Sequence, residues 1–347
     1  MLSRRPVPAL VLPTLARSLA PALIGLLAAA ATLAPLPAAA ETPAATPAPT
    51  WPTKPVRVVI PFGAGSATDV VPRVVLEQLS ARMGQTFVVE NRGGAGGTLG
   101  SAAVAKAEPD GYTLLANSSA HTITPALYPN LGYDVTKDFV ALGVIGSVPN
   151  VLIVAPSSGL GTVQDFVAAA KAKPGDFTFA SVGIGSAVHL SAERFRASAG
   201  YQAVHIPFKG GAEALTEVIA GRVTYYFCPI STALPHIKAG RLKALAVSSP
   251  TRAAALPDVP TTLEAGFPNS DYTVWIGFFA PAKTSPAIAE TFHRELVAAL
   301  TSPVLKEKLT QIGVEPMPMS PTEFAAQVRR EVGEYGAFAK SIGMTIN

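Results

Sequence analysis

The sequence predicts an α/β protein of two domains, each a mostly parallel sheet flanked by helices. Two observations predict it. Short β-branched strands alternate with helices along almost the whole chain after residue 54. The alternation restarts midway, and a long apolar segment stands at each end of the second unit.

The first unit opens on the strand Val56–Ile60, closed by Pro61 and the loop Phe62-Gly63-Ala64-Gly65. Helix Thr68–Met83 follows, with Val71, Val74, Val75, Leu79 and Met83 forming one apolar stripe. Strand Phe87–Glu90, the glycine-rich loop Arg92–Gly97, helix Thr98–Ala107, turn Pro109-Asp110-Gly111 and strand Tyr112–Ala116 complete a β-α-β-α-β run. The second unit begins with the apolar strand Val151–Ala155 and helix Val163–Lys173. Strand Phe177–Ala180, loop Ser181–Gly185, helix Ser186–Ala199 and strand Ala203–Pro207 come next. Helix Gly211–Ala220, strand Val223–Phe227, helix Thr232–Ala239 and strand Leu242–Ser248 complete it. The apolar strand Tyr272–Ala280 leads to helices near Pro286–Leu300 and Pro321–Ile342. The chain is thus expected to leave the first domain (54–152), build the second (153–274) and return (275–347). Two crossings, near Val151–Ala155 and Tyr272–Ala280, would make a hinge.

The start of the chain predicts export. Arg4, Arg5 and Arg17 give a basic start, Ser18–Ala40 is uncharged, and Ala38-Ala39-Ala40 offers a small-residue cleavage site. Pro21, Pro35 and Pro37 argue against a permanent membrane anchor, and no cysteine follows the apolar run to carry a lipid. Residues 1–40 are read as a signal peptide, and 41–53, rich in Pro, Thr and Ala, as a disordered leader. The chain has 27 Lys+Arg and 23 Asp+Glu, and the signal holds three of the basic residues and no acid. The remainder therefore carries 24 basic against 23 acidic residues, a balance of +1. No basic stripe supports nucleic-acid binding. Cys228 is the only cysteine, so no intrachain disulfide can form.

One device occurs in both units. Phe62-Gly63-Ala64-Gly65-Ser66-Ala67-Thr68-Asp69 and Gly183-Ile184-Gly185-Ser186-Ala187-Val188-His189 each join a strand to a helix through small residues. Helix N-termini carry unpaired N–H groups and partial positive charge, and they bind anions without a basic side chain. Parallel sheets place such loops at the carboxyl ends of strands, where ligands bind. Asn117-Ser118-Ser119 falls at the same edge and offers hydroxyl donors. Each loop could equally be a tight turn or a cap. Trp275, on the return strand, is read as core, and Gly93–Gly97 as packing.

Nucleotide and cofactor readings fail on spacing: neither Gly63/Gly65 nor Gly183/Gly185 meets a third fingerprint glycine, and no phosphate-binding P-loop occurs. No nucleophile elbow is present. His121, His189, His205, His236 and His293 show no metal-ligand spacing. No metal, cofactor or catalytic residue is expected. Cys228 ends a strand and is read as buried and inert or as facing the cleft.

These residues, in this order, resemble the tripartite tricarboxylate transporter receptor family, the Bug-type periplasmic solute receptors. The resemblance runs from about Trp51 to the C-terminus. It is carried by Trp51-Pro52-x-Lys54-Pro55, Val59-Ile60-Pro61-Phe62 with Gly65 and Asp69, and Glu90-Asn91-Arg92-x-Gly94-Ala95-Gly96-Gly97. Pro109–Leu115, Gly183-x-Gly185-Ser186-x-x-His189-Leu190, Pro207-Phe208-Lys209-Gly210, Ala233–Gly240 and Trp275-x-Gly277 to Pro281 continue it. It implies a type II periplasmic binding protein, or Venus flytrap, with a carboxylate held between the domains by Phe62–Asp69 and Gly183–His189. Many members carry an aspartate where this chain has Cys228, so the resemblance implies a plain or aromatic carboxylate in place of an amino acid. The expected ligand contacts are Phe62, Ala64, Gly65, Ser66, Asp69, Ser118, Ser119, Gly183, Gly185, Ser186, His189 and Cys228. A membrane permease or a sensor protein is the expected partner of a monomeric receptor in the periplasm. The alternative is an exported α/β hydrolase using Cys228 or a loop serine.

Overall fold

The computed structural model describes residues 51–344. In the first lobe, β1 (Val56–Ile60), α1 (Ala67–Met83), β2 (Phe87–Asn91), α2 (Thr98–Ala105), β3 (Thr113–Ser118), α3 (Ala120–Leu127) and β4 (Phe139–Ser147) run in sequence. The second lobe contains β5 (Asn150–Val154), α4 (Val163–Ala172), β6 (Thr178–Ser181), α5 (Ala187–Ala199) and β7 (Val204–Pro207). It continues with α6 (Gly211–Ile219), β8 (Tyr225–Pro229), α7 (Ile230–Lys238) and β9 (Lys243–Val247). The chain then returns through β10 (Trp275–Pro281) to α8 (Pro286–Leu300), α9 (Pro303–Gln311) and α10 (Pro321–Ser341).

Each lobe holds one five-stranded sheet, ordered β2-β1-β3-β10-β4 in the first and β7-β6-β8-β5-β9 in the second. β1 pairs parallel with β2 and β3, and β6 pairs parallel with β7 and β8. β10 and β5 run antiparallel to both of their neighbours. These two reversed strands are the ones that arrive from the other lobe. The inner strands β3, β5, β8 and β10 are buried on two faces, whereas the edge strands β2 and β7 are partly exposed. Val58 and Ile60 point into one core and Val59 into another; Tyr226 and Cys228 likewise lie opposite Tyr225 and Phe227.

The crossings lie just ahead of the apolar strands, not within them. Only Val148 and Pro149 separate β4 from β5. On the return, Tyr272 N–H donates to Ser248 O (2.7 Å), and Val148 N–H donates to Val274 O (2.7 Å). The two connections therefore run side by side. Val151–Val154 and Trp275–Ala280 are sealed inside their own sheets, and the lobes are joined through Val148-Pro149 and Thr273-Val274. The outward connection lies a few residues N-terminal to the expected Val151–Ala155, and the return connection lies at the start of the expected Tyr272–Ala280.

The sequence reading missed α3, β4 and α9. The glycines of β4 explain that omission: a Cβ on Gly146 would sit 2.5 Å from Glu315 O, so glycine marks a close backbone approach inside a strand. The expected disordered leader also needs correcting at its end. Trp51 packs its ring 6.4 Å from those of Tyr112 and Phe292, and Thr53 N–H donates to Tyr112 Oη (3.1 Å). A single large aromatic finds a pocket that the surrounding composition did not announce. Residues 1–40, the expected signal, and 41–50 of the leader lie outside the described residues.

Candidate functional site

A cavity lies between the lobes at the carboxyl edges of both sheets. Phe62, Ser66, Thr68 and Ser118 line it from the first lobe; Val182, Ser186, Gly211, Tyr226 and Thr232 line it from the second, with Val274 between them. Its enclosed volume is about 30 Å³, room for about two waters. The lobes touch around it: Tyr128 Oη donates to Ile184 O (3.3 Å), and a Cβ on Gly185 would meet Leu127 at 2.8 Å.

Five helices begin at this cavity. Ser66 caps α1 and Ser186 caps α5, Ser118 precedes α3, Gly211 starts α6, and Pro229 and Thr232 frame the start of α7. Among the described residues, no Lys, Arg, Asp or Glu lines it. Positive potential there comes from helix ends and backbone N–H groups.

In the first lobe the loop is held from behind by a carboxylate. Asp69 Oδ2 accepts from Gly65 N–H (2.9 Å), and Oδ1 accepts from Arg73 Nε (2.8 Å) and Asn91 Nδ2 (2.9 Å). Asn91 Nδ2 also donates to Phe62 O (3.0 Å). Ser66 Oγ, on a residue only 7% exposed, has no hydrogen-bond partner among the described residues.

In the second lobe histidines do this work. Gly185 N–H donates to His189 Nδ1 (3.1 Å), which fixes Nδ1 as the unprotonated nitrogen. His205 stacks on His189 with ring centroids 4.0 Å apart, and its Nε2 lies 2.6 Å from Ser181 Oγ. Burial, then the nearby His205 and Arg196, lowers the His189 pKa to about 3. Glu193 lies 3.9 Å from that ring, but its carboxylate is already engaged with Arg196 at 2.6 Å. Burial lowers His205 to about 4.

Four of the expected contacts are instead engaged or buried behind the cavity. Asp69 (3% exposed) and His189 (4%) are committed inside their loops. Ser119 is fully buried and accepts from Tyr272 Oη (2.9 Å), tying α3 to the return connection. Cys228 is fully buried in the second-lobe core, opposite Val151 on β5. Burial pushes its thiol pKa well up, which disfavours the thiolate a nucleophile requires. Of the rest, Phe62, Ser66, Ser118 and Ser186 line the cavity, whereas Ala64, Gly65, Gly183 and Gly185 belong to the two loops without lining it. Ser181 beside His205 has the spacing of a serine–base pair, but it is buried, and its hydroxyl is bonded to Gly183 at both N (3.0 Å) and O (3.1 Å). It ties the loop together.

Tyr226, Thr232, Gly211 and Val274 were missed as cavity residues. The sequence carries a signal for them: every strand of a parallel sheet ends at the ligand edge, so the starts of α6 and α7 fall there beside those of α1 and α5.

Two α/β lobes, side-by-side crossings and an uncharged cavity ringed by helix starts define a two-lobed solute-binding protein. Residues 71–344 match the model of the tripartite tricarboxylate transporter family receptor, and the chain belongs to that family. Protein BugT of Bordetella pertussis is 34% identical over 296 residues, covering 85% of this chain and 91% of that one. A structure of an R. palustris protein with adipate superposes with a TM-score of 0.82 at 33% identity, covering 85% of this chain and 100% of that one. MatC from Rhodopseudomonas palustris, with bound malate, gives 0.78 at 30% identity over 83% and 99%. The solved relatives are solute-binding proteins, and the exported-hydrolase alternative has no support. Among the described residues no helix is long and apolar enough to cross a membrane.

Proposed function

We propose that this chain is a periplasmic receptor that closes its two lobes on a small organic carboxylate and delivers it for uptake or sensing. The observation that carries this reading is the convergence of five helix starts on a cavity lined by no charged side chain. Such a site attracts an anion through backbone dipoles and leaves the anion's body among apolar side chains and hydroxyls. Family membership and relatives solved with adipate and malate support the ligand class. The enclosed volume of about 30 Å³ is too small for either molecule, so binding requires the lobes to part at Val148-Pro149 and Thr273-Val274 and then re-close. Ligand contacts come from Phe62, Ser66, Ser118 and Ser186, with amides of the two glycine loops around Gly65 and Gly183.

The ligand is a plain or aromatic carboxylate. Cys228 is buried and does not decide this; what supports it is that, among the described residues, no acid lines the cavity to meet an ammonium. The signal at 1–40 directs export with cleavage after Ala40, the chain acts as a monomer, and a membrane permease or sensor receives the ligand. Purified protein is to be titrated by thermal shift and calorimetry against adipate, malate, citrate, terephthalate, nicotinate and glutamate. At least one of the first five is expected to raise Tm by mass action. Failure of all of them overturns the receptor reading, and tight glutamate binding overturns the ligand class.

A further inference from the structure

A larger cavity lies in the first lobe, away from the cleft. α8, α9 and residues 314–319 line an open-sided cavity of about 300 Å³ over the floor of β4, an order of magnitude more than the interlobe cavity. An apolar cavity of roughly 150 Å³ already accepts benzene. Ile145, Leu296, Leu300, Met317 and Met319 form much of its wall. The two methionines are half-buried, and thioether side chains adapt to ligands of varied shape. Val297, on the same wall, is 43% exposed, so apolar surface is left open to solvent.

The polar groups around this cavity are nearly all committed. His293 Nδ1 lies 3.1 Å from Leu142 O, so it donates there. Thr301 Oγ1 donates to Val297 O (2.9 Å) and Thr310 Oγ1 to Lys306 O (2.9 Å). Lys306 is the exception. It is exposed and makes no ion pair among the described residues, and no acid lines the cavity with it. An apolar cavity with, among the described residues, one unpaired cation at its rim is complementary to a molecule with an apolar body and a single anionic head.

We propose that this cavity is a second ligand site, distinct from the cleft, for an amphipathic monocarboxylate of medium chain length. The apolar body packs between α8 and the Met317–Met319 wall, and the carboxylate pairs with Lys306. The wall is also connected to the hinge: Ser147 and Glu315 exchange both backbone hydrogen bonds (2.9 and 2.8 Å), and Ser147 immediately precedes Val148-Pro149.

Decanoate, below its micellar concentration, is the probe, with decanol as its uncharged counterpart. Calorimetry is run on the full chain, on Thr232→Trp, which fills the cleft, on Leu300→Trp, which fills this cavity, and on Lys306→Glu at its exposed rim. Decanoate is expected to bind the chain and Thr232→Trp with equal affinity. Leu300→Trp should abolish binding, and Lys306→Glu should weaken it about tenfold while leaving decanol unchanged. Circular dichroism shows whether Leu300→Trp folds; should it not, Lys306→Glu decides alone. Decanoate binding that disappears in Thr232→Trp, survives in folded Leu300→Trp, ignores Lys306→Glu, or is absent from the parent chain overturns the proposal.

Discussion

The two loops that face each other across the cleft solve one problem with different chemistry. Each must hold a glycine-rich turn rigidly while leaving backbone donors free. In each, the side chain four residues beyond a glycine accepts that glycine's N–H: Asp69 for Gly65 and His189 for Gly185. In the first lobe the clamp is an ionised group in a network with Arg73 and Asn91. In the second it is a neutral imidazole stacked on a second one. The caps differ too. Ser186 Oγ is used within its loop, donating to Gly183 O (2.7 Å) and accepting from His189 N–H (3.4 Å), whereas Ser66 Oγ is unused. A rigid loop can therefore be built from charge or from stacking, and the choice determines what breaks it.

The largest expected effect is on the charged clamp. Asp69→Ala leaves Gly65 N–H and Asn91 Nδ2 without their acceptor and Arg73 without its partner, so it should cost about 2–4 kcal/mol in urea unfolding. His189→Ala removes one acceptor and should cost less at pH 8. Hydrogen exchange in residues 62–69 should accelerate in the first variant only. Equal costs for the two variants would show that the clamps are equivalent.

Acid should act on the histidine clamp first. His189 is held down to about 3 by burial, His205 to about 4 by burial, and in the first lobe His121 to about 3 by burial. A histidine whose folded pKa lies below the unfolded value of 6.5 takes up protons more readily when unfolded. Stability is therefore intact above about pH 6.5 and falls as pH drops toward the folded values. At pH 5 His189 alone should account for up to about 2 kcal/mol. Glu331 acts in the opposite sense: burial raises its pKa, so protonation toward pH 4.5 favours the folded form and offsets part of the loss. Urea unfolding of His189→Gln between pH 8 and pH 5 should show a shallower slope than the parent, and acid should loosen residues 181–189 before 62–69. An unchanged slope would show that His189 is not the sensitive group.

Much of this architecture was legible in the sequence, because alternation of strand and helix survives translation into local pattern. Both glycine loops and the two apolar return strands could be placed from residues alone. What could not be read has a common cause: it depends on side chains distant in sequence. Nothing near Asp69 announces Asn91, 22 residues on, as its partner, and nothing links His189 to His205 without the β6–β7 pairing. The same blindness placed Asp69, His189 and Ser119 in the cavity when each has a hydrogen-bond partner behind it, and Cys228 when it is buried in the apolar core. β4 was hidden because Gly146 yields its side-chain space to Glu315.

The smallest expected effect separates the two serines most sharply. Ser66 and Ser186 occupy equivalent positions, both N-caps in extended backbone at the mouth of the cavity. Ser186→Ala loses a cap and a bond to Gly183, so it should lower stability by about 1 kcal/mol. Ser66→Ala loses no internal bond and relieves a buried, unpartnered hydroxyl, so stability should hold or rise slightly. With adipate as the probe, Ser66→Ala should weaken binding by at least about tenfold, the loss of one hydrogen bond to a charged group. Ser66 would then be a hydroxyl kept for the ligand and not for the fold. Equal stability losses in the two variants, with affinity unchanged in Ser66→Ala, would show that the unpartnered hydroxyl has no part in binding.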